Sequence, residues 1–173
     1  FITALEMNLF HFSAGKTLAE IQELNKAFRE SGNFQEFSKK AEQICGTFNK
    51  TWQKTEYETA VLTAESASNY HRLMGKTKMF PYWKYVTAGD EKVREEHRKL
   101  DGVILPANDP RWKKIFPPNG WKCRCRVVPL MKHEVEGIDI NAMRAIVDEY
   151  LGTGEWKMNE AQGWDSNRGE TAE

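Results

Sequence analysis

Cysteine is scarce in this chain. There are three in 173 residues, an odd number, and only two of them are close in sequence. That excludes the even disulfide framework of small secreted domains and makes a reducing, cytoplasmic compartment the expectation. Charge of one sign is also lacking. Twenty-five basic and 25 acidic side chains cancel, so the whole chain has no net pull toward nucleic acid or an anionic surface. Only a local patch can supply such a pull. No apolar run approaches the length of a membrane span and no stretch reads as a secretion signal, so no membrane partner is expected. Internal repeats and low-complexity tracts are missing too. The chain begins at Phe1 rather than Met, which fits a piece of a longer protein. What remains is 40% hydrophobic and 12% aromatic residues, enough to build a core in one domain or in a helical part joined to a smaller one.

The first half of the chain has helical periodicity. Thr17 and Glu20 form a capping box, and Leu18, Ile21, Leu24 and Phe28 then recur on one face up to about residue 30. Ser31-Gly32 stops that helix. Asn33, with Glu36 three residues on, starts the next, with Phe34, Phe37, Ala41, Ile44 and Phe48 as its apolar stripe. A third helix is predicted from about Thr55 to Met74, with Tyr57, Ala60, Val61, Ala64, Ala67 and Leu73 facing inward. Cys45 reads as a small buried hydrophobe.

From residue 80 the texture changes. Tyr82 to Val86 is aromatic and β-like, Thr87 to Asp90 is a turn, and residues 91–100 read as a short charged helix. Residues 106–120 read as a long loop pinned by Trp112, Phe116 and Trp121. A strand is predicted over 124–130. Asp139 caps a last helix whose inner face carries Ile140, Met143, Ile146, Val147 and Leu151. A polar tail follows, with Trp156 and Trp164. The fold class is therefore α+β, with a helical region over residues 1–79 packed on a small α+β domain with a short sheet over 80–173.

The segment from Pro117 to Val127, Pro-Pro-Asn-Gly-Trp-Lys-Cys-Arg-Cys-Arg-Val, concentrates the chemistry. On a strand, Cys123 and Cys125 share a face, so both thiols can approach one ion. Zinc takes Cys and His ligands, which makes His97 a third ligand and Asp101 or His133 a fourth. The competing reading is packing. There the thiols sit under the Trp121 loop, and His97 bonds to backbone and fixes a turn at Asp101-Gly102. In both readings Pro117, Pro118 and Gly120 shape the loop, Trp112 and Trp121 lock it, and Arg124 lies within the strand.

Two further constellations carry chemistry. Thr87, Arg94, His97, Asp101 and Arg124 put a hydroxyl, an imidazole and guanidinium groups in one region. A metal-independent nuclease or nucleotide-transfer enzyme could use them, with His as acid/base and Arg as charge stabiliser; the bland alternative is a solvated helix face and a turn acid. Lys113, Lys114, Lys122, Arg124 and Arg126 interleave with Trp112, Phe116 and Trp121. That pattern can bind single strands, but it also suits core anchors flanked by solubilising charges.

Several stretches, in order, resemble the phage Mu F-like minor head proteins, the phage head morphogenesis family. They are Phe12 to Thr17 with the Leu24-Asn25 helix, Thr55 to Ala60, and Tyr85 to Asp90 with Val93-Arg94, His97 and Leu100-Asp101-Gly102. Asp109 to Trp112, the Pro-Pro-Asn-Gly-Trp-Lys-Cys-Arg-Cys segment, and Gly163 to Gly169 complete the set. The last often has Pro where Arg168 stands. The resemblance implies a minor component of a phage or prophage head, present in few copies and assembling with portal and capsid proteins. It places the protein in the virion head, and in the bacterial host cytoplasm during assembly. Some members of the family are thought to affect DNA packaging or ejection, so transient DNA contact is a further expectation.

Overall fold

A computed structural model describes residues 18–45 and 50–170 of the chain. The N-cap expected at Thr17, the stripe residue Phe48 and the stretch from Phe12 lie outside those residues. Helices α1 (Leu18–Arg29) and α2 (Phe34–Cys45) meet at a tight polar turn. Asn33 caps α2: Glu36 N–H donates to Asn33 Oδ1 at 3.0 Å, and the Glu36 carboxylate accepts from Asn33 Nδ2 at 2.8 Å and from the Gly32 N–H at 3.0 Å. Helix α3 (Lys50–Met74) begins before the expected Thr55. Residues 50–54 hold neither Gly nor Pro, so nothing there stops the helix.

The apolar stripes of these helices converge as their spacing predicts. Leu24, Ala27, Phe37, Ala41 and Ala60 are buried together, with Phe28, Phe34, Ile44 and Cys45 packed around them. Tyr57 of α3 sits amid three aromatic rings, with centroids 5.3 Å from Phe28, 5.7 Å from Phe34 and 5.3 Å from Phe37.

The second half builds a three-stranded antiparallel sheet of order β2-β1-β3, with β1 (Tyr82–Val86), β2 (Ile104–Pro106) and β3 (Arg126–Leu130). Trp83 lies opposite Leu105 on one side and Pro129 on the other, and Tyr85 faces Val127. Pro129 is tolerated because β3 is an edge strand. Strand β1 alternates, with Trp83 and Tyr85 wholly buried between half-exposed neighbours. Around Trp83 pack Trp112 and Phe116 from the loop and Tyr70 from the end of α3. Helix α3 thus contributes to both cores. The fold is α+β, as expected.

Several boundaries differ from expectation. The charged helix shrinks to four residues, α4 (Glu95–Arg98). Asp90 Oδ1 takes the Lys92 N–H at 3.0 Å, which favours a turn over helix in the residues before it. Strand β3 starts at Arg126, because the ladder with β1 ends at the Val86–Arg126 pair. The long loop contains β2's last residue and the short helix α5 (Trp112–Ile115). After a 3-10 turn (Lys132–Val135) comes α6 (Ile140–Leu151), capped by Asp139, whose Oδ1 accepts from the N–H groups of Asn141 and Ala142. Its buried face is carried by Val147 and Tyr150, with Met143 and Leu151 packed alongside; Ile146 points to solvent. The tail is not simply polar. It forms α7 (Gly154–Ala161), and Trp156 and Trp164 are buried.

A candidate metal centre under the Pro-Pro-Asn-Gly loop

The cysteines lie in the extended lead-in to β3, not on the strand itself. Burial still alternates there, with Cys123 and Cys125 turned inward and Arg124 outward, so the two thiols share a face without ladder pairing. What brings that face to His97 is the turn before it. Pro117-Pro118 is a cis peptide bond, and the chain then folds at Asn119-Gly120, where Cys123 N–H donates to Gly120 C=O at 3.2 Å. Gly120 has φ 148, and a Cβ there would stand 3.2 Å from the Arg94 guanidinium, so glycine lets that side chain cover the turn. Arg94 Nη2 in turn donates to Trp121 C=O at 2.6 Å.

His97 of α4 reaches this turn from the other side and is 2% exposed. Its Nε2 lies 3.2 Å from Asn119 C=O, so the Nε2–H tautomer donates there. That leaves Nδ1 bare, 3.6 Å from Cys125 Sγ and 3.8 Å from Cys123 Sγ. The three donor atoms lie within 4.8 Å of one another. Among the described residues neither Asp101 nor His133 joins them. Asp101 Oδ1 instead accepts the Thr87 N–H at 2.8 Å, and His133 is exposed in the 3-10 turn.

Asn119 is the hub that sequence reasoning missed. Its carbonyl takes the His97 proton, its Oδ1 accepts from Tyr85 O–H at 3.0 Å, and its Nδ2 donates to Lys114 C=O at 3.3 Å. Its backbone N–H also points at Cys123 sulfur. The signal was available: an amide between Pro and Gly in a tight turn is a natural source of local hydrogen bonds. The Cys125 neighbour, then the His97 ring and the Asn119 N–H, hold the Cys123 thiol well below its ordinary range despite burial. Cys125 is pushed up, by Cys123 first and by burial second. Burial pushes the Tyr85 phenol well up, with the two sulfurs adding to it.

Helix α3 also holds the segment, through one face. Thr59 Oγ1 accepts the Lys122 N–H at 3.0 Å, Ser66 O–H donates to Pro117 C=O, and Asn69 Nδ2 donates to Val127 C=O at 2.9 Å. Positions 59, 66 and 69 follow helical spacing, so this face was readable in principle.

The other expected residues take structural places. Gly102 has φ 81, and its N–H donates to Tyr85 C=O at 2.9 Å, closing the Asp101-Gly102 turn onto β1. Trp112 Nε1 donates to Pro106 C=O at 3.0 Å, and Trp121 packs edge-on against Trp164 at 5.3 Å. Arg124 forms a two-bond pair with Asp90 at 2.6 and 2.8 Å, which holds the Asp90 carboxyl down at about 2. Most of the basic cluster is matched by acids, Lys113 with Glu170, Lys114 with Glu160 and Lys122 with Glu58, while Arg126 is exposed at the start of β3. A second clamp escaped sequence reasoning. Buried Asp109 accepts from Arg144 at 2.8 Å and Arg111 at 3.1 Å, and Arg111 also pairs with Asp148 of α6.

Helices beside a small antiparallel sheet, with a His and a Cys-Arg-Cys lead-in meeting under a loop, are what this chain brings to a comparison with known proteins. The family model described as "Phage Mu protein F like protein" matches residues 20–128, and the chain belongs to that family. The chain is 37% identical over 120 residues to the "Mu-like prophage FluMu F protein" of Haemophilus influenzae, covering 68% of this chain and 27% of that protein. It is 40% identical over 73 residues to the "Putative capsid assembly protein F" of Escherichia phage Mu, covering 42% of this chain and 17% of that one. The chain thus spans about a quarter or less of the length of these relatives. No solved structure matches it.

Proposed function

We propose that this chain is the F-like part of a phage or prophage capsid-assembly protein, acting in head morphogenesis through contacts with other head proteins. The observation that carries this reading is the family match over residues 20–128, which includes His97, Cys123 and Cys125, together with the phage Mu relative named for capsid assembly. Portal and capsid proteins are the partners, and the virion head is its place. No helix among the described residues is long and apolar enough to cross a membrane. The division into a helical region over 1–79 and an α+β domain over 80–173 belongs to the same reading. Two separate buried clusters support it, with α3 spanning both.

The geometry favours assembly over a nuclease or nucleotide-transfer role. Arg94, His97, Asp101 and Arg124 are all engaged in fixing loops, on Trp121, Asn119, Thr87 and Asp90. A DNA contact in packaging or ejection is the weaker part, since Lys113, Lys114, Lys122 and Arg124 each have an acidic partner. The test is to tag the full-length protein in an induced lysogen, purify heads, and cross-link. Recovery in heads with cross-links to portal or capsid protein is expected. Absence from heads that package normally would contradict the reading.

A further inference from the structure

We propose that His97, Cys123 and Cys125 bind one zinc ion through Nδ1 and two thiolates, fastening the Pro-Pro-Asn-Gly loop to α4 and to the start of β3. The proposal rests on these side chains and not on the assembly reading.

The geometry fits the ion closely. Tetrahedral zinc with bonds of about 2.3 Å to sulfur and about 2.0–2.1 Å to nitrogen sets sulfur and nitrogen about 3.6 Å apart. The two contacts here are 3.6 and 3.8 Å. The histidine is already in the right tautomer, because Asn119 C=O takes its Nε2 proton, as the outer partners of metal-bound histidines commonly do. Packing alone leaves this arrangement poorly satisfied. The buried Nδ1 has only two sulfurs as partners, and sulfur hydrogen bonds are weak.

Charge and access agree. Two thiolates cancel a divalent cation, so the loaded site is neutral and its burial carries no unpaired charge. Uptake forms two Zn–S bonds and one Zn–N bond, breaks the remaining S–H bonds, and sends those protons to solvent. Both thiols line a cleft of about 330 Å³ beneath Ser66 and Asn69 of α3, from which water can fill the fourth position. Zinc is favoured over magnesium or calcium, because the donors are sulfur and imidazole rather than oxygen.

The experiment is titration of the reduced, metal-free protein with zinc and with cobalt. One equivalent per chain is expected, with cobalt showing thiolate charge-transfer bands and the visible bands of a tetrahedral site. Cys123→Ser and Cys125→Ser should lose those bands, and Cys45→Ser should keep them. Alkylation of the wild-type protein gives a reading that does not depend on the folding of the variants. Zinc should shield Cys123 and Cys125 from iodoacetamide, and a chelator should restore their labelling. No stoichiometric binding, loss of binding in Cys45→Ser, or bound metal without shielding of both thiols would each overturn the proposal.

Discussion

The helical core and the loop-bearing domain are held together by different physics. Around Tyr57, three helices share apolar faces at regular spacing, and the contacts are rings and alanines, with the buried polar side chains of Asn25, Gln53 and Glu56 elsewhere on the same helices. Around Asn119, segments far apart in sequence meet through a few buried polar groups, each with an assigned partner. The first arrangement tolerates approximate packing. The second does not, because an orphaned buried polar group costs more than its hydrogen bond adds. Around Asn119, then, polar changes should be the costly ones, and around Tyr57 loss of volume.

Substitutions can break that contrast, starting with the largest effect. Trp83→Ala removes a wholly buried ring at the centre of the sheet and should cost about 3–5 kcal/mol in denaturant unfolding. A cost below 1 kcal/mol would mean that the sheet core is not where the structure puts it. Asp109→Asn removes the charge and one of the two acceptor oxygens, Oδ1 for Arg111 and Oδ2 for Arg144, and a loss of about 2–3 kcal/mol is expected at neutral pH. Its pH dependence sharpens the point. Burial raises the Asp109 pKa, but the hydrogen bonds from Arg144 and Arg111 overcome that, and the net shift is downward. A depressed folded pKa means the contribution is complete above the ordinary aspartate value and fades as pH falls through the folded one. The Asn variant should therefore lose part of the acid limb of the stability curve, and an unchanged limb would remove Asp109 from that role.

Smaller effects separate the regions further. Asn119→Ala keeps the carbonyl that holds His97 but strands the Tyr85 hydroxyl, at a cost of about 1–3 kcal/mol. Asn33→Ala removes only a helix cap in the exposed turn of the helical region and should cost about 1 kcal/mol. Equal costs at these two asparagines, measured by the same unfolding titration, would erase the distinction between the regions.

The same contrast explains what could be read in the sequence. The stripes of α1 and α2 and the Asn33 and Asp139 caps follow local rules and were legible; α3 was legible in part, since Gln53, Glu56, Thr59 and Thr63 are buried on it beside Ala60 and Ala67. Strand β1 was legible from its aromatic alternation. The meeting of His97 with Cys123 and Cys125 was anticipated from residue type, and the two thiols do share an inward face although ladder pairing ends at Arg126. The turn at Asn119, which aims that face at His97, was not legible. Asp109 and its arginines were hidden because their partners lie 35 to 37 residues apart and carry no periodic signal. Trp156 and Trp164 were hidden because a polar tail gave no hint that it folds back onto the domain.

The central claim is that Asn119 fixes the His97 ring so that its bare Nδ1 faces the two thiols. Nitrogen-15 NMR of the imidazole tests it most directly. The account predicts a proton on Nε2 that is slow to exchange, hydrogen-bonded to a carbonyl. A His97 ring with no proton on Nε2 would contradict it.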